Sequence, residues 1–186
     1  FPRIEAVATP GGPILRYRHR SAPEMTSQVI VAATAEDPRT SPLIKGPDLD
    51  ALLRLRSSVS FLGASEAIMV DNSGAVVEGA YSTIVAWLGE TEALAIVPRS
   101  TPRLSSITEH VVEEIAQQQG IPVYETTLRP EALENATVWV LSALHGIRQA
   151  TRWIKGPVLN PDLARRDMWQ RLWQERAQPV GESEAF

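Results

Sequence analysis

Between residues 66 and 97 the chain reads as four short β segments in close succession, at 66–70, 75–79, 81–88 and 93–97. The tight turn Asp71-Asn72-Ser73-Gly74 joins the first two. Connections this short join strands in antiparallel order, because a parallel return needs a crossover of about a dozen residues. The chain is therefore bound to build a mostly antiparallel sheet with helices fitted around it, an α+β fold.

The flanking segments extend this pattern. Alternating stretches at 3–8 and 14–19 enclose the turn Pro10-Gly11-Gly12-Pro13, and 28–33 follows as a further strand, together reading as a β meander. Residues 48–62 set Leu49, Leu52, Leu53, Leu55, Val59 and Leu62 largely at helical spacing, and Gly63 ends that helix, which is amphipathic and packs on a sheet. A second helix spans 107–119 and stops at Gly120. Then come a strand over 121–128, a short helix at 130–134, and strands at 138–141 and 147–154. A last helix opens with Asn160 as cap and Pro161 in its first turn and runs to about Ala177. Its Trp169, Leu172 and Trp173 face reads as packing, since no basic groove accompanies it. Residues 178–186 read as a disordered tail. No internal repeat or low-complexity tract divides the chain.

Composition narrows the function classes. The net charge is −4, with 22% charged and 44% apolar residues. These values suit a globular core and give no sign of a nucleic-acid or anionic-membrane partner. No apolar run is long enough to cross a bilayer. The lack of cysteine removes disulfides, thiolate metal sites and a cysteine nucleophile, and it fits a cytoplasmic setting. His19 and His110 read as surface residues with no metal-site spacing. The chain opens directly in a strand without an initiator methionine, from which we expect that its natural start lies upstream.

Only two lysines occur against sixteen arginines. Lys45 closes the proline-punctuated stretch Ser41-Pro42-Leu43-Ile44-Lys45-Gly46-Pro47. If a strand delivers it inward, desolvation favours the neutral amine, which can attack a carbonyl to form a Schiff base. Lys155 stands in the near-identical Ile154-Lys155-Gly156-Pro157, where a solvated lysine before a turn is the plain reading.

Four pieces in order carry a resemblance to a known family. They are Ile44-Lys45-Gly46; Glu66-Ala67-Ile68-Met69-Val70-Asp71 with Gly74-Ala75-Val76-Val77-Glu78-Gly79; Leu104-Ser105-Ser106-Ile107-Thr108 opening a helix; and Val138-Trp139-Val140-Leu141-Ser142-Ala143. The chain resembles the class IV (fold type IV) aminotransferases that use pyridoxal 5'-phosphate, among them branched-chain and D-amino acid aminotransferases and aminodeoxychorismate lyase. The resemblance implies a large C-terminal domain with a mostly antiparallel sheet or pseudo-barrel flanked by helices. Residues 39–177 would form this cofactor-binding domain, and 1–38 the end of a small N-terminal domain with its linker.

The resemblance also implies roles. Lys45 matches the Schiff-base lysine, which later moves a proton as a free amine. Glu78 matches the carboxylate that pairs with the pyridine nitrogen. Leu104 matches the apolar side chain against the ring. Ser106, Ile107 and Thr108 match a phosphate cradle at a helix N-terminus, and Ser142 with Ala143 a second turn near the phosphate. Ser106 also begins a capping box with Glu109, and a cap competes with a phosphate for the same N–H groups.

Departures from the family pattern are specific. Glu109 stands where a basic residue is usual and adds negative charge beside the expected phosphate unless it points into water. Thr83 replaces an asparagine, and Gln149-Ala150 replaces Pro-Val. Most of the N-terminal domain, with an arginine that helps hold the phosphate, is not in this chain. In Leu144-His145-Gly146-Ile147-Arg148, His145 and Arg148 are candidates for a substrate carboxylate, against a structural role in closing a strand. Trp87 and Trp139 read as core or pocket wall. Two functions stay open: a transaminase or aminodeoxychorismate lyase-like enzyme on an amino acid or amino-bearing acid, for which the resemblance implies a homodimer, or a non-catalytic member serving as a ligand-binding or protein-interaction domain.

Overall fold

The structure is a computed structural model that describes residues 2–88 and 92–177. The tail expected at 178–186 lies outside the described residues. Strands β1 (Pro2–Val7) and β2 (Ile14–His19) pair antiparallel as a separate two-stranded sheet. Every residue of β2 is exposed. The next strand, β3 (Gln28–Glu36), does not continue this ribbon as a meander would. It joins the larger sheet instead, with Val29 and Val31 buried. The physical difference is that β2 alternates Leu15 and Tyr17 with Arg16 and Arg18 and buries neither face.

The remaining strands are β4 (Glu66–Val70), β5 (Val76–Gly79), β6 (Thr83–Trp87), β7 (Leu94–Ile96), β8 (Val123–Glu125), β9 (Thr137–Ser142) and β10 (Gly146–Ile154). With β3 they form an eight-stranded sheet in the order β5-β4-β3-β10-β9-β6-β7-β8. Neighbours pair antiparallel except β3 with β10, β3 with β4 and β7 with β8, so the sheet is mixed. Its β5 end curls back toward β6 through a Gly79↔Ser82 bridge, giving a half-barrel. The large sheet thus reaches back to Gln28, ahead of the division expected at residue 38.

Local chemistry explains the elements. Asp71 Oδ1 accepts from the Ser73 N–H (2.8 Å), the Ser73 hydroxyl (2.7 Å) and the Ala75 N–H (3.0 Å), while Gly74 takes φ +81°, and together they close the β4–β5 turn. Helix α1 (Leu49–Ser60) buries Leu52 and Val59 over Ala67 and Met69 of β4. Helix α2 is Ile107–Gln118 and helix α3 is Leu163–Gln174. The cap of α3 is Asp162, whose carboxylate accepts from the Arg165 N–H at 2.9 Å. Asn160, expected as the cap, is tied to the start of β9 by its N–H to the Ala136 carbonyl and by its own carbonyl, which accepts from the Thr137 hydroxyl. The strand expected over 121–128 shortens to β8. Beyond it the chain crosses to the far edge, where the Leu128 carbonyl accepts from the Val76 N–H.

The core alternates across the sheet as strand geometry requires. Ile84, Ala86, Val138 and Val140 face the curl with Val29, Val31, Ile68 and Trp153. Val85, Trp87, Trp139 and Leu141 face α2 and α3 with Val112, Ile115 and Trp169. The rings of Trp87, Trp139 and Trp169 meet pairwise at 5.3 Å, edge-on or tilted. Trp87, Trp139 and Trp169 are therefore core residues. Among the described residues no helix is long and apolar enough to cross a membrane.

Candidate active site

A cleft of about 280 Å³ opens where four segments meet: the loop before α1, the β5–β6 turn, the loop leading into α2 and the end of β9. Lys45, Glu78, Leu104, Ser106, Ile107, Thr108, Ser142 and Ala143 all line it, drawn together from across the chain.

Lys45 does not arrive on an inward strand. It sits on a bend, exposed, with no hydrogen bond or ion pair among the described residues. Pro42, Pro47 and Gly46 at φ +141° keep the segment out of any strand. The bend is held from behind by Asp48, whose carboxylate accepts from the Thr40 N–H (3.1 Å), the Thr40 hydroxyl (3.0 Å) and the Ser41 N–H (2.8 Å). These bonds keep the Asp48 carboxyl below the usual range, the Thr40 N–H contributing most. Lys155 lies elsewhere, exposed in the turn after β10 with φ 55°.

Glu78, next to the last residue of β5, has its carboxylate buried. Its Oε1 accepts from the Arg39 guanidinium and from the Leu104 N–H at 3.2 Å. Burial pushes the Glu78 carboxyl above its ordinary range, and Arg39 and the Leu104 N–H oppose that push. Oε2 accepts no hydrogen bond from the described protein. Arg39 also bonds Asp37 (2.7 and 2.8 Å) and the Pro42 and Pro102 carbonyls, so one guanidinium ties together the linker, the lysine loop and the loop before α2.

At the start of α2 the Ser106 hydroxyl accepts from the Glu109 N–H at 3.2 Å. The cap therefore engages one donor only. The N–H groups of Ile107 and Thr108, in the first turn, have no intrahelical acceptor and stay open. Glu109 does not point into water. It is buried and paired with the equally buried Arg103 at 2.8 Å, and neither residue lines the cleft.

His145 and Arg148 lie beside the cleft rather than on its wall. The His145 Nδ1 accepts from the Thr26 N–H at 3.3 Å. Arg148 is buried with its nearest carboxylate, Glu66, at 3.7 Å. Glu66 in turn accepts from the hydroxyl of Ser82, a cleft residue, at 3.1 Å. Thr83, at the position of the family asparagine, also lines the cleft. No group of three or more His, Cys, Asp or Glu side chains close enough to hold a metal occurs among the described residues.

Arg39 and Asp48 are the site residues that sequence reasoning missed. A buried carboxylate at Glu78 implies a cationic partner, but sixteen arginines offered no spacing that singled out Arg39. Asp48 reads in sequence as part of a helix start, and its side chain instead reaches backward to the loop.

The donor set fits pyridoxal phosphate. The unpartnered Oε2 of Glu78 suits a protonated ring nitrogen, the open N–H groups of Ile107 and Thr108 suit a phosphate, and the unpaired Lys45 amine suits an aldehyde.

A family model described as amino-transferase class IV matches residues 12–153. No curated protein matches the chain. Among solved structures, a hypothetical aminotransferase from Mycobacterium tuberculosis in its PLP-bound form superposes with TM-score 0.68 at 19% identity, over 79% of this chain and 54% of that one. A putative 4-amino-4-deoxychorismate lyase from Legionella pneumophila gives TM-score 0.72 at 17% identity, over 88% and 60%. The branched-chain amino acid aminotransferase from Escherichia coli gives TM-score 0.69 at 19% identity, over 86% and 54%. These likenesses establish the fold, and the chain spans 54% to 60% of the lengths of these three structures.

Proposed function

The chain belongs to the class IV aminotransferase family, and on that premise we propose that it carries the cofactor-binding and catalytic residues of a pyridoxal-phosphate-dependent transaminase or aminodeoxychorismate lyase-like enzyme. Its substrate is an amino acid or amino-bearing acid. The observation that carries the reading is the convergence on one cleft of a free lysine, a carboxylate with one oxygen left open, and an open helix N-terminus.

Bound pyridoxal phosphate supplies the electron sink for the carbanion formed at the substrate α-carbon. Lys45 would hold the cofactor aldehyde through Nζ and, once the substrate amine has displaced it, would accept the α-proton at Nζ and return it. Glu78 would keep a proton on the ring nitrogen through Oε2, while Arg39 and the Leu104 N–H hold Oε1 and favour the ionised carboxylate against its burial. Ile107 and Thr108 bind the phosphate through their backbone N–H groups and the Thr108 hydroxyl, with Ser106 shaping the turn and Ser142 and Ala143 adding a second one. Leu104, on the cleft wall, would lie against the ring. His145 and Arg148 remain the side chains for a substrate carboxylate. A homodimer and a cytoplasmic location belong to the same proposal.

Glu109 is the feature that favours a non-catalytic member, and its pairing with Arg103 supports the enzyme instead. The test is turnover. Protein supplied with pyridoxal phosphate and a panel of amino acids should transfer an amino group to a keto acid or release pyruvate, and Lys45→Ala should lose that activity. Turnover retained by Lys45→Ala would contradict the reading.

A further inference from the structure

We infer that the buried Arg103–Glu109 pair is the device that positions the anion cradle from behind, holding the turn between its two partners in place. The five residues between the two partners, Leu104, Ser105, Ser106, Ile107 and Thr108, all line the cleft, and the partners themselves do not. The pair therefore closes a ring behind the cradle. Arg103 anchors that ring to the sheet by donating at 2.8 Å both to Glu109 and to the carbonyl of Val97, just past β7. Glu109 fixes the other end, because its own N–H is the one taken by the Ser106 cap. With both ends held, the N–H groups of Ile107 and Thr108, both cleft residues, stay unpaired and are not drawn into a tighter cap.

The pair also settles the local charge. Glu109 alone would set a buried negative charge one residue from the cradle, whereas paired it brings no net charge. The arrangement costs desolvation that is not fully recovered: Arg103 Nε and Glu109 Oε2 are buried without partners. Burial pushes the Glu109 carboxyl upward, and Arg103 opposes it. Apolar residues would fill this space with less penalty, so the pair is explained by what it positions rather than by stability.

This inference rests on the cofactor reading, and comparing pyridoxal phosphate with pyridoxal, which lacks the phosphate, separates the two. Dissociation constants for both are measured on the wild-type protein, Glu109→Gln and Arg103→Lys, with thermal melts alongside. The wild type should prefer the phosphorylated form. Each variant should weaken pyridoxal phosphate by at least about tenfold while leaving pyridoxal unchanged, so that the preference collapses. Equal weakening of both ligands, or a preference kept in folded variants, would overturn the positioning role and leave the cofactor reading intact. A wild type without preference for the phosphorylated form would overturn both. Should Glu109→Gln fail to fold, Arg103→Lys, which keeps the cation and loses the fork, carries the same comparison.

Discussion

Replacing Lys45 by alanine should abolish covalent cofactor attachment and leave the melting temperature unchanged, because an exposed side chain on a bend supports no packing. A variant that still forms a borohydride-stable adduct at normal yield would exclude Lys45. Glu78→Gln keeps the shape but loses the charge at the ring nitrogen. Turnover should fall on the order of a hundredfold with only modest loss of bound cofactor, and unchanged turnover would remove Glu78 from the mechanism. Arg39→Met strips a buried carboxylate of its partner and should destabilise the fold by about 3 kcal/mol, measured by denaturant unfolding. At this scale Lys45 stood out in the sequence because the chain has only two lysines, whereas Glu78, one of sixteen glutamates, was singled out only by its place in the ordered family motif. Arg39 and Arg103 were hidden among many arginines, and only three-dimensional proximity to Glu78 and Glu109 distinguishes them.

Single elements make their own predictions. The loop that carries Lys45 is held by an aspartate whose carboxyl is lowered on folding. Such a group stabilises the loop in full above its unfolded value of about 4, and that stabilisation is lost as pH falls through the lower folded value. The amide resonances of Thr40 and Ser41 should therefore titrate below about pH 4 and cease to do so in Asp48→Asn; a midpoint above that value would contradict the assignment. Trp169→Ala opens the α3 face of the aromatic trio and should cost about 3–5 kcal/mol. The helices and the β4–β5 hairpin were legible because Asp71, Gly74, Gly63 and Gly120 act locally. The cap of α3 was misplaced by two residues because Asn160 and Asp162 are both good caps, and the choice is made by tertiary bonds from Asn160 to Ala136 and Thr137.

For the molecule as a whole, the β1–β2 ribbon forms its own sheet, so deleting residues 1–19 should change the unfolding free energy of the rest by no more than about 0.5 kcal/mol, with the eight-stranded sheet retained by circular dichroism. A large loss would show that the ribbon supports the core. Sheet order was the least legible property. The parallel insertion of β3 between β10 and β4 joins segments more than a hundred residues apart in sequence, and no local pattern encodes a partner at that distance. The cleft was legible despite this, since its residues lie on loops and strand ends whose motifs are local even though their meeting is not.

The most direct measurement is borohydride reduction of the protein mixed with pyridoxal phosphate, followed by mass mapping of the labelled peptides. With only Lys45 and Lys155 in the chain, each lysine serves as the other's control. The label should concentrate on Lys45 with Lys155 left free, whereas equal labelling of the two, or labelling of Lys155 alone, would contradict a cofactor site built on the Lys45 loop.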